Sequence, residues 1–150
     1  MSGVVDAYIG FWQQLSPDRL AELPAYYTPD VHFQDPFNNL HGIDDLAAML
    51  RHMYRQCDAV SIAVDEVVGR APVVYLRWRF DFRLAGERRH RQPIRGVSRV
   101  VFAPDGRVSE HIDYWDAAGQ LYSQLPIVGG LMRWLRRRLA APPAAARANG

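Results

Sequence analysis

The stretch Val73-Val74-Tyr75-Leu76-Arg77-Trp78-Arg79-Phe80-Asp81-Phe82-Arg83-Leu84 decides the fold. Strand side chains point alternately to two faces, so parity shows what each surface meets. The even positions, Val74, Leu76, Trp78, Phe80 and Phe82, are wholly apolar, whereas Arg77, Arg79, Asp81 and Arg83 follow Tyr75 on the odd side. A period of two held this long marks a strand with its even face buried and its odd face on water or a partner subunit.

Downstream and just upstream the same period recurs. Residues 60–68, 92–102 and 107–115 read as strands joined by short Gly- and Pro-bearing turns, Gly69-Arg70-Ala71-Pro72, Ala85-Gly86-Glu87 and Ala103-Pro104-Asp105-Gly106. Strands in sequence with such turns form an antiparallel meander. Before them the period becomes helical. Residues 4–15 place Val5, Tyr8, Ile9, Trp12 and Leu15 on one stripe, and 43–56 do the same with Leu46, Met49, Leu50 and Met53. Between these, Ser16 and Pro17 open a short helix over 19–26, and residues 31–35 form a strand closed by Pro36, with 37–39 as a loop. Helices first and a meander after define an α+β fold: a strongly curved antiparallel sheet wrapped by N-terminal helices around one apolar pocket.

Past Trp115 a helical stretch over 117–125 is broken by Pro126, and 127–139 form a last helix. We expect one domain over residues 1–140 and a disordered low-complexity tail over 141–150. In that last helix Val128, Leu131, Leu135 and Leu139 lie beside Met132 and Trp134, with Arg133, Arg136, Arg137 and Arg138 filling much of the remainder. Such a basic amphipathic helix packs on its own domain or a partner, or makes peripheral contact with an anionic membrane.

The 150 residues suit a single domain, and 49% hydrophobic with 23% charged residues is the balance of a soluble globular chain. Neither a transmembrane run nor a signal-peptide start is present in the sequence, so a cytoplasmic protein is expected. Cys57 is a single cysteine, which removes disulfides and CxxC sites. All the basic residues are arginine, read here mainly as codon bias in a GC-rich genome, and a net charge of +2 predicts no nucleic-acid partner. His32, His41, His52, His90 and His111 make no standard metal spacing, and no phosphate loop, dinucleotide fingerprint or Gly-x-Ser-x-Gly elbow is found. No metal and no cofactor are expected.

The last strand carries the chemistry. Ser109, His111, Asp113 and Trp115 share one parity, and Val108, Glu110, Ile112 and Tyr114 the other, so neither face is purely apolar. If the odd face is the inner one, a His and an Asp about 7 Å apart along the strand project into an apolar cavity.

These residues also carry a resemblance. The segment Tyr27-Thr28-Pro29-Asp30-Val31-His32-Phe33-Gln34-Asp35-Pro36, then His41-Gly42, and Gly106-Arg107-Val108 leading into His111-Ile112-Asp113-Tyr114-Trp115-Asp116, resemble the nuclear transport factor 2-like superfamily. Within it the chain is similar to the SnoaL-like and ketosteroid isomerase-like branches, over roughly residues 4 to 125. The resemblance implies a cone-shaped α+β barrel, a homodimer through the sheet's outer face and a cavity for a hydrophobic small molecule, but it leaves the reaction open. It implies Asp35 as a general base at the cone's mouth and Asp113 as the last-strand acid/base of SnoaL-like cyclases. Against these stand two structural readings: Asp35 capping the turn after it, and Asp113 with His111 as a satisfied hydrogen-bonded pair. On this reading His111 orients Asp113, relays a proton, or does neither. The expected lining is Trp12, Phe33, Phe37, Trp78, Phe80, Ser98 and Trp115.

Departures from the relatives narrow the reading. Ser98 falls where a ketosteroid isomerase keeps a protonated Asp, and Tyr8 or Phe11 falls near its oxyanion Tyr, which disfavours a steroid isomerase. Arg79-Phe80-Asp81 has the spacing of the limonene epoxide hydrolase-like members, but its parity points outward unless a bulge shifts it. His41 is expected to be structural, His32 to point away from the pocket, and His52 and His90 to lie on the surface. Two classes of function remain. One is a cofactor-independent isomerase, cyclase or dehydratase acting on a polyketide-, steroid-, isoprenoid- or lipid-like substrate. The other is a non-catalytic ligand-binding or protein/membrane-interaction module.

Overall fold

Alternation and helical stripes resolve into two layers. The computed structural model describes residues 2–140, which divide into two compact units, one ending at Trp115 and the other beginning at Asp116. In the first unit, α1 (Ser2–Gln13), a 3-10 turn (Pro17–Glu22) and α2 (Leu23–Tyr26) lead into β1 (Tyr27–Gln34) and β2 (Asn39–His41). Then follow α3 (Ile43–Gln56), β3 (Cys57–Arg70), β4 (Val73–Leu84), β5 (Ile94–Phe102) and β6 (Val108–Tyr114). The strands form one sheet in the order β2-β1-β6-β5-β4-β3.

β3 to β6 are the expected antiparallel meander. The sheet as a whole is mixed and open, because β1 joins the free edge of β6 in parallel and β2 folds back on β1. The fold is the expected α+β cone, and the parallel seat of β1 is the one pairing that the antiparallel reading of the sheet lacked. β2, whose first residue Asn39 falls in the expected loop, is a three-residue strand too short to show a period; Asp35 N–H donates to Asn38 O and Gly42 N–H to Val31 O around it. Ser16 makes no side-chain cap, and the segment behind Pro17 winds as a 3-10 turn before becoming α-helical. At the β3–β4 and β5–β6 turns the backbone needs φ of 95° at Gly69 and 86° at Gly106, the left-handed region that glycine enters without strain.

The parity of β4 holds: Val74 and Leu76 are buried, Tyr75 and Arg77 exposed. Tyr8 and Phe11 of α1, Leu46 and Leu50 of α3, and Val31 and Phe33 of β1 pack with them into one core. β6 switches parity within itself. Val108 and His111 are both buried, because the β5–β6 register slips between Val101 and Phe102 and inserts a bulge near Ser109. Beyond that slip, Val100 faces His111 and Ser98 faces Asp113, so the odd face of β6 looks inward with the even face of β5.

The second unit holds α4 (Ala117–Gln120), a 3-10 turn (Tyr122–Gln124) and α5 (Pro126–Leu139). Asp116 caps α4 by accepting from Gly119 N–H at 2.7 Å. The glycine side of α5 meets the preceding turn, where a Cβ on Gly129 would stand 2.6 Å from Ser123 O, and Arg133 donates to that same oxygen at 3.2 Å. The expected tail over 141–150 lies outside the described residues. Among the described residues no helix is long and apolar enough to cross a membrane.

Candidate functional site

Four elements converge on His111. The bulge in β6 turns its imidazole inward, where Trp12 of α1 and Phe33 of β1 flank it with ring centroids 5.4 and 4.9 Å away. Its Nδ1 lies 2.5 Å from the Tyr8 hydroxyl, and its Nε2 lies 2.7 Å from Asp113 Oδ1. The Tyr8 hydroxyl also meets the Tyr27 hydroxyl at 2.6 Å, and Trp12 Nε1–H donates to Tyr27 at 3.0 Å. From the other side Trp78 Nε1–H donates to Ser98 Oγ at 2.7 Å, and Ser98 donates to Asp113 Oδ1 at 2.5 Å.

The result is a continuous hydrogen-bonded path from one indole to the other, with Asp113 where its two arms meet. The His111 side chain is 6% exposed and that of Asp113 17%, so the carboxylate alone reaches toward solvent or a ligand. Both donors fall on Oδ1. Among the described residues Oδ2 has no partner. Burial raises the ionisation of Tyr8 well above the ordinary phenol range, helped by neighbouring Tyr27, and burial does the same for Tyr27. Both stay as O–H donors at neutral pH. Trp78 is held flat against the sheet by Gly96, whose place could not take a Cβ without overlapping the indole ring.

Of the expected lining, Trp12, Phe33, Trp78 and Ser98 gather around His111 and Asp113. Phe37 is exposed and meets Trp115 edge to face at 5.6 Å, while Phe80 stacks on Phe82 at 5.2 Å. Asp35 stands apart from the network. Its Oδ1 accepts from the backbone N–H of Phe37 and Asn38 at 2.7 Å each, and Asn38 Nδ2–H reaches both oxygens at 3.1 Å. That is the geometry of a turn cap. The Arg79-Phe80-Asp81 spacing stays outside as well: β4 keeps an unbroken register with β5 from Val73 to Phe80, and Arg79 pairs with Asp81 at 3.1 Å and with Asp65 at 4.0 Å. No bulge rescues it.

His32 faces outward, bonded to Asn39 at 2.8 Å and stacked on His41 at 4.6 Å, as a structural pair. His52 and His90 are exposed. A cavity of about 190 Å³ opens elsewhere, between α1 and the β5–β6 turn, lined by Val4, Ala7, Tyr8, Tyr26, Phe102 and Arg107. It touches the ring of Tyr8 but neither His111 nor Asp113. Among the described residues no group of three or more His, Cys, Asp or Glu is placed to hold a metal. Sequence reasoning missed Tyr27 and the polar use of Trp12. The available signal was Tyr8 on the apolar stripe of the first helix, since a buried phenol needs a hydrogen-bond partner.

An α+β cone with a polar cluster inside an open curved sheet defines a SnoaL-like, nuclear transport factor 2-like fold. The chain belongs to the SnoaL-like domain family, whose profile matches residues 5–111. The match ends two residues before Asp113. Among solved structures it is similar to a candidate SnoaL-like polyketide cyclase from Shewanella denitrificans, with 21% identity over 82% of this chain and 97% of that one, at a TM-score of 0.65. It also resembles a ketosteroid isomerase-like protein from Catenulispora acidiphila in complex with trimethylamine (12% identity, 79% and 88% covered, TM-score 0.65). A third is a candidate SnoaL-like isomerase from Agrobacterium tumefaciens (15% identity, 76% and 95% covered, TM-score 0.61). No curated protein matches the sequence.

Proposed function

We propose that this protein is an acid/base enzyme of the SnoaL-like type, an isomerase, cyclase or hydro-lyase, in which Asp113 moves a proton of a hydrophobic substrate. The observation that carries the reading is the asymmetry of the Asp113 carboxylate: Oδ1 accepts from Ser98 and His111, and among the described residues Oδ2 has no partner. A carboxylate anchored through one oxygen and open at the other is oriented to take a proton from a carbon acid. In that step the C–H bond breaks, an O–H bond forms on Oδ2, and the electron pair moves to an adjoining carbonyl oxygen as an enolate. Returning the proton to another carbon completes an isomerisation; closing the enolate on a second carbonyl, whose oxygen then takes the proton back from Oδ2, completes a cyclisation.

The aromatic surroundings, Trp12, Phe33 and Trp78, suit a flat apolar substrate of polyketide or steroid kind. The test is deuterium wash-in from heavy water, followed by NMR, with an aromatic β-keto ester and a 3-ketosteroid as probes. The reading expects exchange at the carbon next to the carbonyl with the native chain and its loss in Asp113→Asn. Equal exchange by both proteins, or none by the native chain, would contradict it.

We also propose that a second copy covers the outer face of the sheet. Tyr75, Val97 and Tyr114 stand there 43%, 36% and 57% exposed, with Val97 and Tyr114 paired across β5 and β6. Sedimentation at micromolar concentration is expected to give a dimer mass, which Tyr114→Glu lowers to that of a monomer. A monomeric mass for the native chain would overturn the interface.

A further inference from the structure

The direction of every hydrogen in the buried path follows from its two ends. An indole N–H donates and cannot accept, so Tyr27's oxygen is an acceptor toward Trp12. The phenolic hydrogen of Tyr27 then has one partner left, the Tyr8 oxygen. Tyr8 in turn has one partner left for its own hydrogen, His111 Nδ1. A nitrogen that accepts carries a lone pair, so the neutral imidazole bears its hydrogen on Nε2, which faces Asp113 Oδ1.

The opposite arrangement fails at both ends. With its hydrogen on Nδ1, His111 would donate to Tyr8 and Tyr8 to Tyr27, leaving two donors on one phenol oxygen. The hydrogen of Tyr27, a residue with no exposed surface, would have no acceptor. Nε2 would also present a lone pair to a carboxylate oxygen. The groups facing the ring are Tyr8 and Trp12 on α1, Phe33 on β1, and Asp113 on its own strand, and none of them offers another hydrogen-bond route.

We infer that Trp12, acting through Tyr27 and Tyr8, is a positioning residue that locks His111 as its Nε2–H tautomer, making Oδ1 of Asp113 a fixed anchor and Oδ2 the reacting atom. This rests on the reading of Asp113 as the reacting carboxylate, while the tautomer lock itself stands on geometry alone. His111 consequently has no lone pair to offer a substrate: one nitrogen accepts from Tyr8 and the other donates to Asp113. It orients the base and does not act as one.

The lock is read directly from long-range ¹⁵N–¹H correlation of the ligand-free, labelled protein, the His111 signals being assigned by their loss in His111→Gln. The native chain is expected to show His111 as Nε2–H. Asp113→Ala removes the carboxylate, and the tautomer is expected to persist because Tyr8 still occupies Nδ1. Asp113→Ala combined with Tyr27→Phe cuts the wiring as well, and a mixture of both tautomers is expected; Trp12→Phe makes the same cut if Tyr27→Phe does not fold. Conversion to Nδ1–H or a mixture in Asp113→Ala alone would overturn the inference, since the carboxylate would then have set the tautomer. An unchanged Nε2–H form in the folded double variant would overturn it too. Because the spectrum needs no substrate, failure here is distinguishable from failure of the deuterium wash-in, which tests the catalytic reading itself.

Discussion

Asp35 and Asp113 are the two aspartates that the sequence singles out, and they are held in opposite ways. Asp35 is held by its own turn, with bonds from residues two and three positions away reaching both of its oxygens. Asp113 is held by side chains that the fold delivers, Ser98 from the neighbouring strand and His111 backed by Tyr8 from the first helix. A carboxylate used up locally shapes the backbone, whereas one anchored from a distance on a single oxygen keeps the other for chemistry.

The largest effect that would break this contrast is on turnover. Asp113→Asn is expected to lower wash-in by roughly 10²–10⁴-fold, the range for removing a general base, with the circular dichroism spectrum retained. Asp35→Ala is expected to leave wash-in within a few-fold of native. Comparable losses in both variants would dissolve the distinction.

Next in size is the alkaline limb of stability, which reports the buried arm behind His111. Burial raises Tyr8 and Tyr27 above the ordinary phenol value of about 10. Above about pH 10 the unfolded chain therefore loses these protons before the folded one does. The folded state binds more protons in that window, so stability is complete below pH 10 and falls as pH rises beyond it. The slope is up to about 1.4 kcal/mol per pH unit for each tyrosine. Tyr27→Phe is expected to flatten the dependence in urea titrations at pH 9 to 11, and an unchanged slope would count against buried phenols.

Gly96→Ala tests the other arm. Its new Cβ would collide with the Trp78 ring and push the indole off Ser98. A destabilisation of about 1–3 kcal/mol is expected from such overpacking, with reduced wash-in because Ser98 loses its partner. The smallest effect is the stability cost of Asp35→Ala, about 1 kcal/mol for the lost turn bonds, measured by denaturant midpoint.

How far the sequence reached follows the same division. β4 and α3 read off at their true limits, Val73–Leu84 and Ile43–Gln56, because each has one clean period. β2 escaped because three residues carry no period, and the parallel seat of β1 escaped because parity says nothing of which edge a strand joins. At the site, the shared face of His111 and Asp113 was legible within β6 alone. Ser98 was found through a family alignment, but its hydrogen bond was not, since it depends on a bulged register. Tyr27 was hidden more deeply: nothing local in a strand reveals that a tyrosine will meet a hydroxyl nineteen positions away. Asp35 was the reverse case, conspicuous as Asp-Pro and explained by the turn it caps.

The central claim is that Asp113, through Oδ2, is the atom that meets the substrate. A crystal structure with the carbon acid that exchanges fastest tests it most directly. The account predicts the exchanging carbon within about 3 Å of Asp113 Oδ2, with Ser98 and His111 still on Oδ1. A ligand seated with that carbon against Asp35, or in the cavity between α1 and the β5–β6 turn, would contradict it.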